Sequence, residues 1–264
     1  MVLTGSIRSR PMIENLKLFD PYNRQARLYP ALLTMLAPLI VLLAWFPHLF
    51  LTNVGGLVLG IAASCGLLFL LADLARGMGK RIEPALLGEW GGWPTTQWLR
   101  YRDTSLPAPT KARYHDVLGR KVPQISWPTS RDEATHPDRA DATYASSIDW
   151  LREHCRGPQH ALVHAENATY GFRRNLLGIR PVGLSVSVFA VAASVVASLA
   201  ASGWPTSATE FVTSISNRPA ALFGTELIAL GAIFFWVFVV RKSWVRKAGD
   251  QYAKALLAAC ETLP

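Results

Sequence analysis

His160 and His164 stand four residues apart, so they share one face of a helix, and Glu166 follows. That spacing is the start of a metal site, but a zinc-protease helix needs Glu directly after the first His, and here Ala161 occupies the position. Satisfied surface or core histidines are the default reading, with metal ligation or acid–base work at His160, His164 and Glu166 as the alternative. Cys65, Cys155 and Cys260 are too scattered for a disulfide framework or a zinc set. There is no Gly-rich phosphate loop and no Gly-x-Ser-x-Gly elbow. The expectation is a protein that is not an enzyme and that carries no cofactor or metal.

The second chemical pattern is cationic. From Thr95 to Asp116, Arg100, Arg102, Lys111 and Arg113 interleave with Trp98, Tyr101 and Tyr114. Cations that meet phosphates and rings that stack bases suit a nucleotide or a single-stranded nucleic acid. Arg100, Tyr101, Arg102, Lys111 and Arg113 are therefore the candidate ligand residues of this stretch; a solvated face with half-buried rings is the other reading. Arg173 and Arg174, in Tyr170–Leu176 (YGFRRNL), join the candidate ligand set. Their position beside an apolar run also fits lipid headgroup contact, or coupling of a ligand signal into the membrane. The Gly/Trp cluster Gly88–Pro94 reads as a turn that anchors aromatic rings at the interface or offers a ligand platform.

A third pattern lies inside apolar runs. Asp73 and Glu226 are acids where acids are costly, which marks them as functional candidates. Arg76 is close enough in sequence to pair with Asp73. Glu226 has no base nearby except Arg218, which would have to fold back. Ala190, Ser194 and Ser198 form one small-residue stripe, and Gly56, Gly60 and Ser64 form another. Such stripes serve close helix packing, and hydroxyls among them also suit a wetted pore. Glu226, Ser194 and Ser198 are the candidate pore residues.

The elements that must position these groups follow from hydropathy. A helix needs about 20 apolar residues to cross ~30 Å of hydrocarbon. Segments 29–51, 54–75, 182–204 and 221–240 meet that length, which predicts four transmembrane helices in two hairpins. The loops Thr52–Asn53 and Pro205–Ala220 hold one base, Arg218; the other 26 of the 27 Lys and Arg lie on the opposite side. Basic loops stay cytoplasmic, so both termini and residues 76–181 are expected there. The sequence before the first span has no apolar core, so that span is expected to direct insertion.

Residues 76–180 carry 16 bases and 11 acids, a net +5 within the chain's +9. They form a cytoplasmic, mostly helical module. Ala140–Arg156 is amphipathic, with Tyr144, Ile148 and Leu151 on one stripe and Asp138 or Asp141 available as a cap. Pro123–Asp138 reads as a loop, and residues 241–264 continue the fourth span as a helix that packs on the module or on a second subunit. The whole is a mainly α, polytopic membrane protein: N-terminal segment 1–28, hairpin 29–75, module 76–181, hairpin 182–240 and C-terminal helix 241–264. With half of the chain apolar and only 17% charged, an ordinary soluble enzyme and a disordered basic tail are both excluded.

This layout resembles small membrane effectors of bacterial anti-phage systems, in particular the Hailong-type four-span channel effector. Phe19–Pro30 (FDPYNRQARLYP), Gly91–Asp103 (GGWPTTQWLRYRD) and Tyr170–Leu176 carry the likeness. It implies an oligomeric inner-membrane channel controlled by a DNA oligomer that a partner nucleotidyltransferase makes; no functional residue is carried over from the family. The expected function is thus a homo-oligomeric, ligand-controlled ion channel in contact with membrane lipids. A membrane-anchored scaffold is the alternative, and a lipid-modifying enzyme using His160, His164 and Glu166 is a third.

Overall fold

The computed structural model describes residues 21–47, 54–217 and 220–263. The expected loop at Thr52–Asn53, Arg218 and the first residues of FDPYNRQARLYP lie outside the described residues. The described chain is mainly helical and contains no strand among the described residues.

Helix α1 (Pro21–Trp45) includes a π-helical turn at Arg24–Leu28. Helix α2 (Val54–Trp90) is 37 residues long, about 55 Å, and so outruns a bilayer core. It stops where Gly91 and Gly92 take φ of 77° and 117°, a left-handed turn that a side chain would oppose. Four shorter helices follow, referred to below as the module: α3 (Pro94–Gln97), α4 (Ala108–Lys121), α5 (Ser130–Thr135) and α6 (Pro137–His154). A turn of 3-10 helix at Pro158–His160 leads into α7 (Ala161–Ser202), which runs 42 residues without interruption. Helix α8 (Ala208–Ser216) is followed by α9 (Ala220–Phe234), whose last turn, Phe235–Val239, is π-helical. Helix α10 (Lys242–Ala258) closes the fold.

Among the described residues, three helices are long and apolar enough to cross a membrane: Pro21–Trp45, Pro158–Ala200 and Leu222–Val239. The sequence predicts the third span from Val182, but the helix that bears it begins at Ala161 and carries YGFRRNL within it. Pro181 is accommodated inside it, although proline leaves the carbonyl of Leu177 without its helical donor. The expected loop Pro123–Asp138 contains α5, because Thr129 and Asp132 form a reciprocal capping box that starts a helix there. Helix α6 starts at Pro137, so Asp138 falls in its first turn and Asp141 lies beyond capping range. The expected loop 205–220 likewise contains α8, capped by the Ser207 hydroxyl.

Packing forms two main cores. In the module, Leu99, Leu118, Tyr144 and Leu151 meet Leu256 and Leu257 of α10, all almost fully buried. The α6 stripe of Tyr144, Ile148 and Leu151 and the α10 residues Tyr252 and Leu256 are thus in this core, as their helical spacing suggests. Nearer the apolar helices, Ala31, Ala75, Leu176, Ile179 and Trp236 form the second core. Helix α7 is the hub, packing on α1, α2, α9 and α10. Its crossing with α2 is backbone on backbone. A Cβ at Gly178 would stand 2.6 Å from the Met78 carbonyl carbon and 2.7 Å from Gly79 Cα.

Candidate functional site

One cluster of buried polar groups lies where α7 passes from the module into the apolar bundle. Arg174 is 8% exposed and Asn175 1%, so both need partners. Arg174 Nη1 donates to Glu83 Oε1 of α2 at 2.7 Å, and Nε and Nη2 donate to Asn175 Oδ1 at 3.2 and 3.1 Å. Tyr170, one turn earlier, donates its hydroxyl to the same Glu83 oxygen at 2.9 Å, and the Arg174 guanidinium lies 5.7 Å from its ring. Asn175 Nδ2 donates to the Ala26 carbonyl of α1 at 2.7 Å. That carbonyl belongs to the π-helical turn, where the wider repeat redirects backbone groups out of the usual ladder. One cluster therefore ties α1, α2 and α7 together. Arg173, on the adjacent face, donates to the Trp244 carbonyl at 3.0 Å and stacks over its indole at 4.7 Å, adding α10.

A second polar centre holds the loop between α3 and α4. Glu133 is 3% exposed and accepts from the Tyr101 backbone N–H at 2.7 Å, the Arg102 N–H at 3.3 Å and the Tyr144 hydroxyl at 2.8 Å. Burial, then the Glu133 carboxylate, pushes the Tyr144 phenol far above its ordinary range. Arg100 forms a two-armed pair with Asp141, Nε at 2.8 Å and Nη2 at 2.6 Å, and also donates to the Gly91 carbonyl. Lys111 is buried and donates to the carbonyls of Arg100 and Asp103. Burial lowers its pKa, with Asp103 and Glu133 acting in the opposite sense. His115 sits among the rings of Tyr101, Trp127 and Tyr144 with Nε2 2.7 Å from the Leu99 carbonyl. Burial holds its pKa below the free value despite that bond, so the ring is neutral at pH 7.

Within the apolar bundle, Trp45 Nε1 of α1 donates to Ser194 Oγ at 3.0 Å, and Ser194 donates to Glu226 Oε1 of α9 at 2.8 Å. Ser194 is 1% exposed, and Ser198, also buried, donates back to the Ser194 carbonyl at 3.0 Å. Ala190 packs with Ala37, Val41 and Ala229, so the small-residue stripe of α7 faces its neighbours in the same chain. Asp73 lies exposed on α2.

The candidate ligand residues thus divide. Arg100, Lys111 and Arg174 are engaged with internal carboxylates and carbonyls, and Arg113 pairs with Glu261 at an exposed 2.8 Å contact. Tyr101 and Lys111 share the wall of a cleft of about 520 Å³. The side chain of Arg102 is exposed. Arg173 and Arg174 belong to the junction rather than to that cleft. His160 is buried at the end of the 3-10 turn, His164 faces the Gly157 carbonyl at 3.2 Å, and among the described residues no three His, Cys, Asp or Glu are grouped to hold a metal ion. Glu83 and Glu133 organise both centres, and neither stands out in the sequence. Glu83 meets Arg174 across a separation of 91 residues, and Glu133 acts on backbone N–H groups, which leave no trace in residue type. No protein-family model, curated protein or solved structure matches the chain, so the site stands on its own geometry.

Proposed function

We propose that the chain is one subunit of an oligomeric ion channel in the bacterial inner membrane, controlled by a nucleotide or oligonucleotide bound to a cytoplasmic module. The observation that carries this reading is α7. One helix starts in the module core near Val163, passes through the Glu83–Arg174 junction, and bears Ser194 beside Glu226. A rod of about 63 Å with no loop along it transmits a tilt or rotation at one end to the other. In this reading residues 54–75 of α2 are a fourth span paired with α1. Both termini and the module face the cytoplasm in this reading, which the lopsided Lys and Arg distribution supports. Ser194 and Ser198 are covered within one chain, so the arrangement corresponds to a closed state, and opening turns α7 or α9 to expose the hydroxyls and Glu226. The anti-phage setting and a nucleotidyltransferase partner rest on the resemblance alone.

The test is current through bilayers containing the full-length protein, recorded with and without short single-stranded DNA and mononucleotides. Ligand-dependent conductance, with cation preference lowered in Glu226→Gln, is the expected result. Absence of current under every ligand overturns the proposal. A second reading, a membrane-anchored scaffold, is favoured by one observation: Arg100, Lys111, Arg113 and Arg174 are already spent on internal partners. It predicts silent bilayers, a Glu226→Ala variant indistinguishable from the parent, and a protein partner for the module.

A further inference from the structure

Helix α10 lies across the module, and between it and the stretch from Trp98 into α4 there is a cleft of about 650 Å³. One wall is lined by the half-buried Trp98, Tyr114 and Thr110; the other by Arg246, Asp250 and Lys254 of α10. Small-ligand sites span roughly 300–1,000 Å³, so the space suits one nucleotide-sized molecule and not a long strand. The two walls differ in chemistry, rings on one side and cations on the other, which is the division between a base and its phosphates.

The cations are not equivalent. Lys254 is exposed at the cleft. Arg246 is held: Nε donates to Asp250 at 3.0 Å, Nη2 donates to Gln97 Oε1 at 2.7 Å, and the guanidinium stands 5.4 Å from the Trp90 ring. Asp250 therefore occupies a place that a phosphate oxygen of the same charge can take. Gln97 in turn donates to the Trp90 carbonyl at the end of α2.

We infer that this cleft is a nucleotide site, with a ring against Trp98 and phosphates held by Lys254 and by Arg246 in exchange for Asp250. The inference rests on the ligand-controlled reading above and gives it a location. Arg246 belongs to the helix that directly follows α9; its partner Trp90 is the last residue of α2, and its partner Gln97, in α3, is bonded to the Trp90 carbonyl. Drawing Arg246 towards a phosphate loosens its tie to Gln97 and Trp90, so occupancy is felt by two membrane-directed helices at once.

The experiment titrates ADP, adenosine and pyrophosphate into the full-length detergent-solubilised protein by calorimetry. ADP binds more tightly than either half alone, because only ADP meets both walls. Lys254→Ala weakens ADP by about tenfold, the loss of one charge-assisted contact, and Asp250→Asn tightens it by removing the competitor. Trp98→Leu reduces ADP to the level of pyrophosphate; should that variant fail to fold, the two α10 variants decide. No binding of ADP to the parent, or Lys254→Ala and Asp250→Asn that both bind like the parent, overturns the site. Bilayer recordings on the same preparations separate the two proposals. ADP binding that needs Lys254 without any current sinks the channel and leaves the site. Ligand-gated current that is untouched by Lys254→Ala sinks the site and leaves the channel.

Discussion

Gly178→Ala adds one methyl group where α7 crosses α2, and the structure says what that methyl meets. Its nearest neighbours are all backbone, the amide nitrogen of Gly79 and then the Met78 carbonyl carbon at 2.6 Å, whereas ordinary contact begins at 3.4 Å. Backbone inside a helix cannot turn aside as a flexible side chain can, so the two helices must part by close to an ångström. One turn away, the 2.7 Å Arg174–Glu83 bond would then stretch past hydrogen-bond range. Overpacking alone costs about 1–3 kcal/mol, and weakening a buried pair adds to it, so the expected loss is about 3 kcal/mol or more. For a chain of this size that is a fall in Tm of roughly 6–12 °C. Gly77→Ala is the matched control: nothing lies within 4 Å of its Cβ, and alanine favours the helix by up to about 1 kcal/mol. Thermal melting of both variants in detergent, followed by tryptophan fluorescence, should give shifts of opposite sign. A Gly178→Ala protein that melts with the parent would refute the backbone-on-backbone crossing and with it the rigid coupling of α7 to α2.

Other expectations follow from the same geometry. Glu83→Gln and Arg174→Met each strand a charge in a site where the pair is 18% and 10% exposed, and each should cost about 3–5 kcal/mol, while the double variant costs less than their sum; denaturant melts in a double-mutant cycle measure it. His115 has a folded-state pKa below its unfolded value near 6.5, so the unfolded chain binds more protons as the pH falls. The His115 contribution to stability should therefore be fully present above about pH 6.5 and decline between there and the lower folded-state pKa, and His115→Gln should flatten that decline in Tm measured against pH. Ser194→Ala removes the link between Trp45 and Glu226 and should destabilise the bundle by about 0.6–1.7 kcal/mol, read in thermal melts.

The sequence makes the helical class and the apolar runs legible because both depend on local composition. The amphipathic stripes of α6 and α10 are readable for the same reason, and their residues lie in one core. What it hides depends on distance along the chain. Asn175 reaches the Ala26 carbonyl across 149 residues, and Gly79 matters because Asn175 and Gly178 of α7 press against it. The basic and aromatic pattern from Trp98 to Tyr114 is visible, but its division into structural cations (Arg100, Lys111) and cleft walls (Trp98, Tyr114) is not. Asp141, Glu133 and Arg246, which make that division, come from other segments. Helix α7 was obscured by Pro181, a residue that usually ends a helix in water and that a packed apolar bundle tolerates.

The junction at Arg174 also sets an order of assembly. Glu83 and the Ala26 carbonyl are synthesised well before the side chains that satisfy them, so α1 and α2 can be placed first yet stay incomplete until α7 arrives. Helix α7 is then guided into position by polar groups already waiting for it, not only by its own apolarity. The chain should therefore tolerate a cut near Gly157, between α6 and α7, provided both pieces are made together. The two halves would find each other through Glu83, Arg174 and Asn175, and neither should accumulate alone.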